Sequence, residues 1–233
     1  MSNAFFQIKM YNVRMKKILT FLIILFLGFL PAFADYLPSY INNGYHYGIG
    51  LIALKGDVPI YEMSDLKSPL AALIQFKDGK VIIKERGVKK PEITNTFVAY
   101  SKENGLALLS VEIDDDDWFY ICYDQKRKLF GWVKKNENID FMYWEDFLNL
   151  YGRKRGVYIF NNTPDIYKRL YSQEKEESTM VDSFNFPKHI ALWLIKGNWM
   201  LVKITTYDGL TKTGWMRWRT ENGAVMVFPD FRN

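Results

Sequence analysis

Residues Trp118–Lys134 read WFYICYDQKRKLFGWVK, and residues Trp199–Arg217 read WMLVKITTYDGLTKTGWMR. Each stretch opens with Trp on an apolar, strand-like run, passes through a polar turn, and closes on Gly-Trp, an apolar residue and a base. The two tryptophans stand 14 positions apart in the first stretch and 16 in the second. The pair predicts one β-hairpin built twice.

Alternation along Trp199–Ile204 puts Met200, Val202 and Ile204 on one face and Trp199, Leu201 and Lys203 on the other. The all-apolar face is the expected core. Aligned on Trp, the first copy buries Phe119, Ile121 and Tyr123 and turns Trp118, Tyr120 and Cys122 to the second face. Rings there are candidates to line a groove for an extended peptide or a sugar, since they offer contact area at low entropic cost. The candidate ligand-binding residues are therefore Trp118, Tyr120, Trp132, Trp199 and Trp215. The competing reading is that loop insertions and the neighbouring copy cover them, and packing is the expected role for most of the seven tryptophans. Gly131 and Gly214 relieve crowding where the strand bends.

Working outward, 233 residues allow one large or two small domains. The 17 Phe, 15 Tyr and 7 Trp are spread along the chain, which favours strands and contact surfaces over helices. The formal charge of +5 suggests nucleic acid until its location is considered. Lys9, Arg14, Lys16 and Lys17 lie in the first 34 positions with no acid, leaving 27 bases against 26 acids. A near-neutral body lacks the electrostatic footprint for phosphate, so no nucleic-acid partner is expected. With Cys122 the lone cysteine, no intramolecular disulfide and no cysteine-based zinc site can form.

Lys16 and Lys17 precede Ile18–Leu30, ILTFLIILFLGFL, and then Pro31, Ala32, Phe33 and Ala34. A basic start, a short apolar core and an A-x-A ending are the parts of a secretory signal peptide, so residues 1–34 are read as one, with cleavage between Ala34 and Asp35. The initiator is either Met1 or Met15, which opens a complete signal of its own. The apolar run is short for a membrane span, and no stable span is expected after cleavage. The protein is expected to be exported, periplasmic or secreted.

A Tyr- and Gly-rich lead-in covers residues 35–50. Strand-like runs follow at Ile49–Leu54, Val58–Glu62, Ala71–Phe76 and Lys80–Glu85, with Asp78-Gly79 as a hairpin signal between the last two. Thr94–Tyr100 and Leu106–Ile113 continue the pattern. Asp114–Asp117 is read as a solvated hairpin tip, because consecutive carboxylates in an extended chain point opposite ways and do not converge on a cation. Phe141–Leu150 carries Phe141, Trp144, Phe147 and Leu148 at helical spacing, and Gly152–Gly156 reads as a basic joint. Val157–Phe160, VYIF, then matches Val58–Tyr61, VPIY. The fold class is all-β: two tandem small barrels, residues 51–150 with an insertion near Asp78–Gly105 and residues 151–233, joined by a short helical and Gly-basic linker.

The repeat resembles the bacterial SH3-type (SH3b) domains of exported and cell-wall proteins. The residues that carry the resemblance are Val58, Ile60, Tyr61, Trp118, Ile121, Gly131, Trp132 and Val133 in the first copy. In the second they are Val157, Ile159, Trp199, Val202, Gly214, Trp215 and Met216. The long insertion and the missing Asn-x-Arg-x-Gly-Pro loop depart from the family pattern. The resemblance implies SH3-like barrels and a module that binds peptidoglycan or an envelope protein.

Cell-wall hydrolases pair such modules with Cys-His sites, which makes Cys122, His46 and His189 the residues to weigh. Cys122 lies mid-strand, and neither histidine has a nearby motif to orient it. The leading expectation is a non-catalytic exported binding module without metal or cofactor. The alternatives are a cell-wall hydrolase joining Cys122 or the Asp114–Asp117 tip to His189, and a structural envelope adaptor.

Overall fold

A computed structural model describes residues 40–42, 44, 46–77, 80–88, 93–101 and 106–231. The expected signal peptide lies outside them. Leu37–Asn233 form one compact unit. Its strands make two curled sheets in which every described pairing is antiparallel. No described helix is long and apolar enough to cross a membrane.

The first sheet contains β1 (Tyr40–Ile41), β2 (Gly50–Leu54), β3 (Val58–Tyr61), β4 (Leu70–Lys77), β5 (Lys80–Glu85), β6 (Ala99–Ser101), β7 (Leu106–Asp115), β8 (Trp118–Asp124), β9 (Leu129–Lys134) and β10 (Ile139–Tyr143), with a helical turn, α1 (Ile93–Thr96), between β5 and β6. The second contains β11 (Val157–Ile159), β12 (Arg169–Tyr171), β13 (Met180–Ser183), β14 (His189–Lys196), β15 (Trp199–Thr205), β16 (Thr211–Arg217) and β17 (Val227–Pro229).

The two sheets share one wiring. The first pairs β10–β2–β7–β8–β9–β3–β4, and the second pairs β17–β11–β14–β15–β16–β12–β13. β1, α1, β5 and β6 have no counterpart in the second sheet. Correspondence extends to single residues: Tyr120 faces Trp132 and Ile121 faces Gly131, while Leu201 faces Trp215 and Val202 faces Gly214. A β-bulge falls at the same rung in both, after Val111 in β7 and after Leu192 in β14, leaving Glu112 and Trp193 as the extra residues. The loops after β3 and β12 also match. Glu62 N–H donates to the Pro69 carbonyl at 3.0 Å and Ser172 N–H to that of Thr179 at 2.9 Å. Met63 N–H reaches Ser68 Oγ at 3.0 Å, and Gln173 N–H reaches Ser178 Oγ at 3.3 Å.

This register corrects one expectation from the sequence. The counterpart of VPIY is Lys168–Tyr171, because Tyr61 faces Trp132 and Tyr171 faces Trp215. Val157–Ile159 instead occupies the place of β2, between β14 and β17. Short runs of β-branched and aromatic residues are interchangeable as strings, and only their pairing partner tells them apart.

Alternation sorts the side chains as the hairpin pattern indicates. Phe119, Ile121 and Tyr123 join Ile52, Ile60, Ile74 and Leu109 in the first core. Met200, Val202 and Ile204 are fully buried in the second sheet. Gly131 and Gly214 sit where the strand bearing Tyr61 or Tyr171 crosses closest. A Cβ on Gly131 would collide with Ile60 Cγ2 and lie 3.0 Å from the Tyr61 carbonyl oxygen; on Gly214 it would lie 3.0 Å from Leu170 Cβ and 3.1 Å from the Tyr171 oxygen.

After β10 the chain turns helical through α2 (Trp144–Phe147), a π-helical stretch (Leu148–Gly152) and α3 (Arg153–Arg155). Trp144, Phe147, Leu148 and Tyr151 are all buried, and their spacing is that of one helical face. The basic joint expected at Gly152–Gly156 is thus the last helical turn. Gly152 is buried because a Cβ there would stand 2.9 Å from Val157 Cγ1 and 3.0 Å from Leu192 Cδ2. Gly156, at φ +79°, ends the helix, and its N–H bonds the Gly152 carbonyl at 2.8 Å.

The rings on this helix meet rings from the lead-in and from the second sheet. Trp144 stacks on His46 with centroids 6.0 Å apart, His46 meets the edge of Phe160 at 5.2 Å, and Phe147 lies 5.4 Å from Phe228. Trp144 and Phe228 are 6.4 Å apart. His46 also forms a β-bridge with Val225, whose N–H donates to the His46 carbonyl at 2.7 Å. This knot joins the lead-in, the helix and the second sheet.

Overpacking a tight crossing costs about 1–3 kcal/mol. Gly131→Ala is expected near the top of that range and Gly214→Ala nearer the bottom, because only the first meets a methyl group inside contact distance. Urea unfolding of the two variants beside the parent measures the difference.

Candidate functional site

The first of the five candidate residues, Trp118, opens β8 at 8 % exposure, and Trp199 opens β15 at 8 %. Each indole meets a tyrosine from the strand across the bend in a T-shaped contact: Tyr61 at 5.7 Å and 90°, and Tyr171 at 5.5 Å and 88°. A base from the paired strand lies over each ring, Lys134 Nζ at 5.3 Å and the Arg217 guanidinium carbon at 4.9 Å. These indoles offer little free surface. Both are packed between a tyrosine and a cation.

Tyr120, Trp132 and Trp215 are half-buried and lie on the outer face. Tyr120 stands 4.8 Å from Trp132 across the strands and stacks on Phe130 at 5.6 Å. Ile113, opposite Tyr120 on β7, is exposed. At the matching places the second sheet carries Leu201 opposite Trp215, and an exposed Leu194. The shared register therefore presents three adjacent rings in the first copy and one ring with two leucines in the second.

One step further along the same face, Cys122 faces Phe130, and the first copy opens into a cavity of about 410 Å³. Tyr47 and Phe130 form aromatic walls; Ser110, Glu112, Cys122 and Gln125 supply polar groups, and Lys128 and Asn222 complete the lining. Ser110 projects here because its neighbours Leu109 and Val111 point into the core. The bulge delivers Glu112. These two, with Gln125, Tyr47 and Asn222, were not singled out by the sequence, where no motif groups them.

Burial shapes the chemistry of the cavity. It raises the Glu112 carboxyl above its ordinary value, against the pull of the Arg219 guanidinium. It pushes the Cys122 thiol up to about 12, with the Glu112 charge adding to the effect. The Ser110 hydroxyl oxygen is buried without a hydrogen-bond partner. Gln125 belongs to a closed chain: its Oε1 accepts from Asn42 Nδ2 at 3.3 Å, and its Nε2 donates to His46 Nδ1 at 3.1 Å. The remaining His46 nitrogen, Nε2–H, then donates to the Asn42 carbonyl at 3.0 Å. Desolvation lowers this fully buried ring to about 4, so it is neutral near pH 7.

The sequence alternative joined Cys122 or the acidic tip to His189. Cys122 lines the cavity just described, whereas His189 lines a second cavity of about 430 Å³ beside β11, with Phe186 and Tyr207. Asp114 and Asp117 at the tip are ion-paired with Lys135 and Lys134. Among the described residues, no group of three or more His, Cys, Asp or Glu is placed to hold a metal ion.

No protein-family model matches the chain, and no curated protein is similar enough to count as a relative.

Two outcomes follow from the titrations. A thiol held near 12 is almost wholly protonated at pH 8, so iodoacetamide should alkylate Cys122 in the folded protein at least about a hundredfold more slowly than free cysteine, as mass spectrometry would read. His46 takes its proton near 6.5 when unfolded and near 4 when folded. As the pH falls through that window the unfolded chain binds the proton first. Stability is then full above about pH 6.5 and declines towards pH 4, by about 3 kcal/mol for this group. Denaturant titrations at pH 7 and pH 4.5 should show that loss, and a His46→Gln variant should flatten much of it.

Proposed function

We propose that the chain is an exported, non-catalytic binding module of two tandem SH3-like barrels, which recognises a peptide, a cell-wall fragment or an envelope protein through the outer face of its first hairpin. The resemblance of both Trp/Gly-Trp hairpins to SH3b domains supports the barrel reading, and so does the wiring common to the two sheets. The signal-like residues 1–34, with cleavage between Ala34 and Asp35, support export. The near-neutral body disfavours nucleic acid.

One observation carries the functional reading: the Tyr120–Phe130–Trp132 cluster runs directly into the cavity beside it. Recognition sites commonly combine aromatic area with a few convergent polar groups. Against the hydrolase alternative stand a thiol that burial keeps protonated and the placement of Cys122 and His189 on two different cavities. The adaptor alternative differs only in what docks on the face, and the experiment separates the two.

Residues 35–233, which contain the compact unit, should be retained on purified peptidoglycan or should capture a protein from envelope extract. Tyr120→Ala/Trp132→Ala should lower retention at least tenfold while leaving the circular dichroism spectrum intact, since both rings are half-buried and outside the core. Retention that survives the double replacement would remove this face from consideration. Capture of one envelope protein without wall retention would select the adaptor.

A further inference from the structure

Glu112 is a half-buried charge in the first copy. It makes no hydrogen bond or ion pair among the described residues. The cation in its field is Arg219, two of whose nitrogens are engaged elsewhere: Nη2 with the Gly48 carbonyl at 2.7 Å and Nε with the Gly223 carbonyl at 3.0 Å. Its oxygens are therefore open to a donor from the cavity it lines. Ser110, 2 % exposed on the same strand, turns an unpartnered hydroxyl oxygen to the same side. A buried hydroxyl without a partner is costly to maintain.

One donor can serve both groups. A half-buried carboxylate accepts hydrogen bonds, a hydroxyl can accept as well as donate, and Tyr47 and Phe130 add aromatic walls of the kind that attract a cation. Lys128 also lines the cavity, but it is exposed on the turn after β8, where solvent screens it. The interior is thus built for positive charge and hydrogen-bond donors. A volume of about 410 Å³ suits an amino acid, an amino sugar or the end of a short peptide.

We infer that this cavity binds a protonated primary amine, with Glu112 as its counter-charge, Ser110 Oγ as a second acceptor, and Tyr47 and Phe130 as its walls. The inference rests on the reading of the first hairpin face as a binding surface, and it names the group recognised at the inner end of that face. A free peptide N-terminus, a diamino-acid side chain and an amino sugar all present this group.

The test titrates 15N-labelled residues 35–233 with alaninamide, which carries the ammonium without a carboxylate, and with N-acetylalanine, which carries the reverse. Alaninamide should shift the amide resonances around Ser110, Glu112 and Cys122, and N-acetylalanine should leave them in place. Glu112→Gln keeps the shape, removes the charge and should weaken alaninamide at least tenfold; Ser110→Ala should weaken it less. A matching spectrum elsewhere in each variant establishes that the fold is kept. Equal shifts from both probes, no shift from alaninamide at millimolar concentration, or full affinity in Glu112→Gln would each overturn the inference. If alaninamide fails while envelope retention still depends on Tyr120 and Trp132, the amine site is wrong and the binding face stands. If alaninamide binds at Glu112 but no envelope material is retained, the amine site stands and the wider reading falls.

Discussion

The contact on which the described structure depends is the ring knot of His46, Trp144, Phe147, Phe160 and Phe228. Each sheet has its own core, but a twelve-residue helical stretch interrupted by a π segment has little stability of its own. It holds because it buries Trp144, Phe147 and Tyr151 against rings from the second sheet and from the lead-in. Aromatic pairs add roughly 0.5–1.5 kcal/mol each beyond their buried area, which is what a helix this short needs, since its own hydrogen bonds barely offset the cost of ordering it. The histidine is what makes the knot conditional. Its ring is tolerated in this dry setting only while neutral and only with both nitrogens bonded, and Gln125 and Asn42 meet the second condition.

The same Gln125 borders the cavity, which links the knot to the site. One side of its amide completes the histidine chain, and the residue also lines the space beside Glu112 and Cys122. The lead-in contributes to both as well, through His46 to the knot and through Tyr47 to the aromatic wall. The second copy has the same hairpin, the same bulge and the same Trp–Tyr–base stack, but the described lead-in residue Tyr47 lines the cavity of the first copy and not that beside β11. Its cavity forms elsewhere. β2 pairs with β7 over five residues, whereas β11 pairs with β14 at Val157 and Ile190 alone, and the space beside β11 is where the second cavity lies.

The hairpins were readable because a strand with one buried face writes its alternation into the sequence. Met200, Val202 and Ile204 could be assigned to a core from period two, and so could Phe119, Ile121 and Tyr123. The other face was harder. Trp118 and Tyr120 share it, and nothing in their types says that one is wedged against Tyr61 while its neighbour reaches the surface; the difference lies in what crosses above each. The cavity was not legible at all. Tyr47, Ser110, Gln125 and Asn222 are brought together across more than a hundred positions of sequence, and Glu112 is aimed there by a bulge that no composition rule marks. The basic run at Arg153–Arg155 misled for a related reason. Glycines at both ends suggested a loop, but Gly152 is required by the close approach of Val157 and Leu192, and only Gly156 serves the chain reversal.

The paired bulges at Glu112 and Trp193 carry a historical meaning. A residue added to one strand inverts the facing of every side chain beyond it unless a bulge absorbs it, and here the bulge does: Val111 faces the core, and Glu112 and Ile113 both lie on the outer face. Substitution can change a leucine to a tyrosine on an outer face one step at a time; it cannot slide a bulge along a ladder. Two unrelated strands would have to arrive at the extra residue on the same rung independently. An ancestral hairpin that already held the bulge, and was then copied in tandem, had to acquire it once.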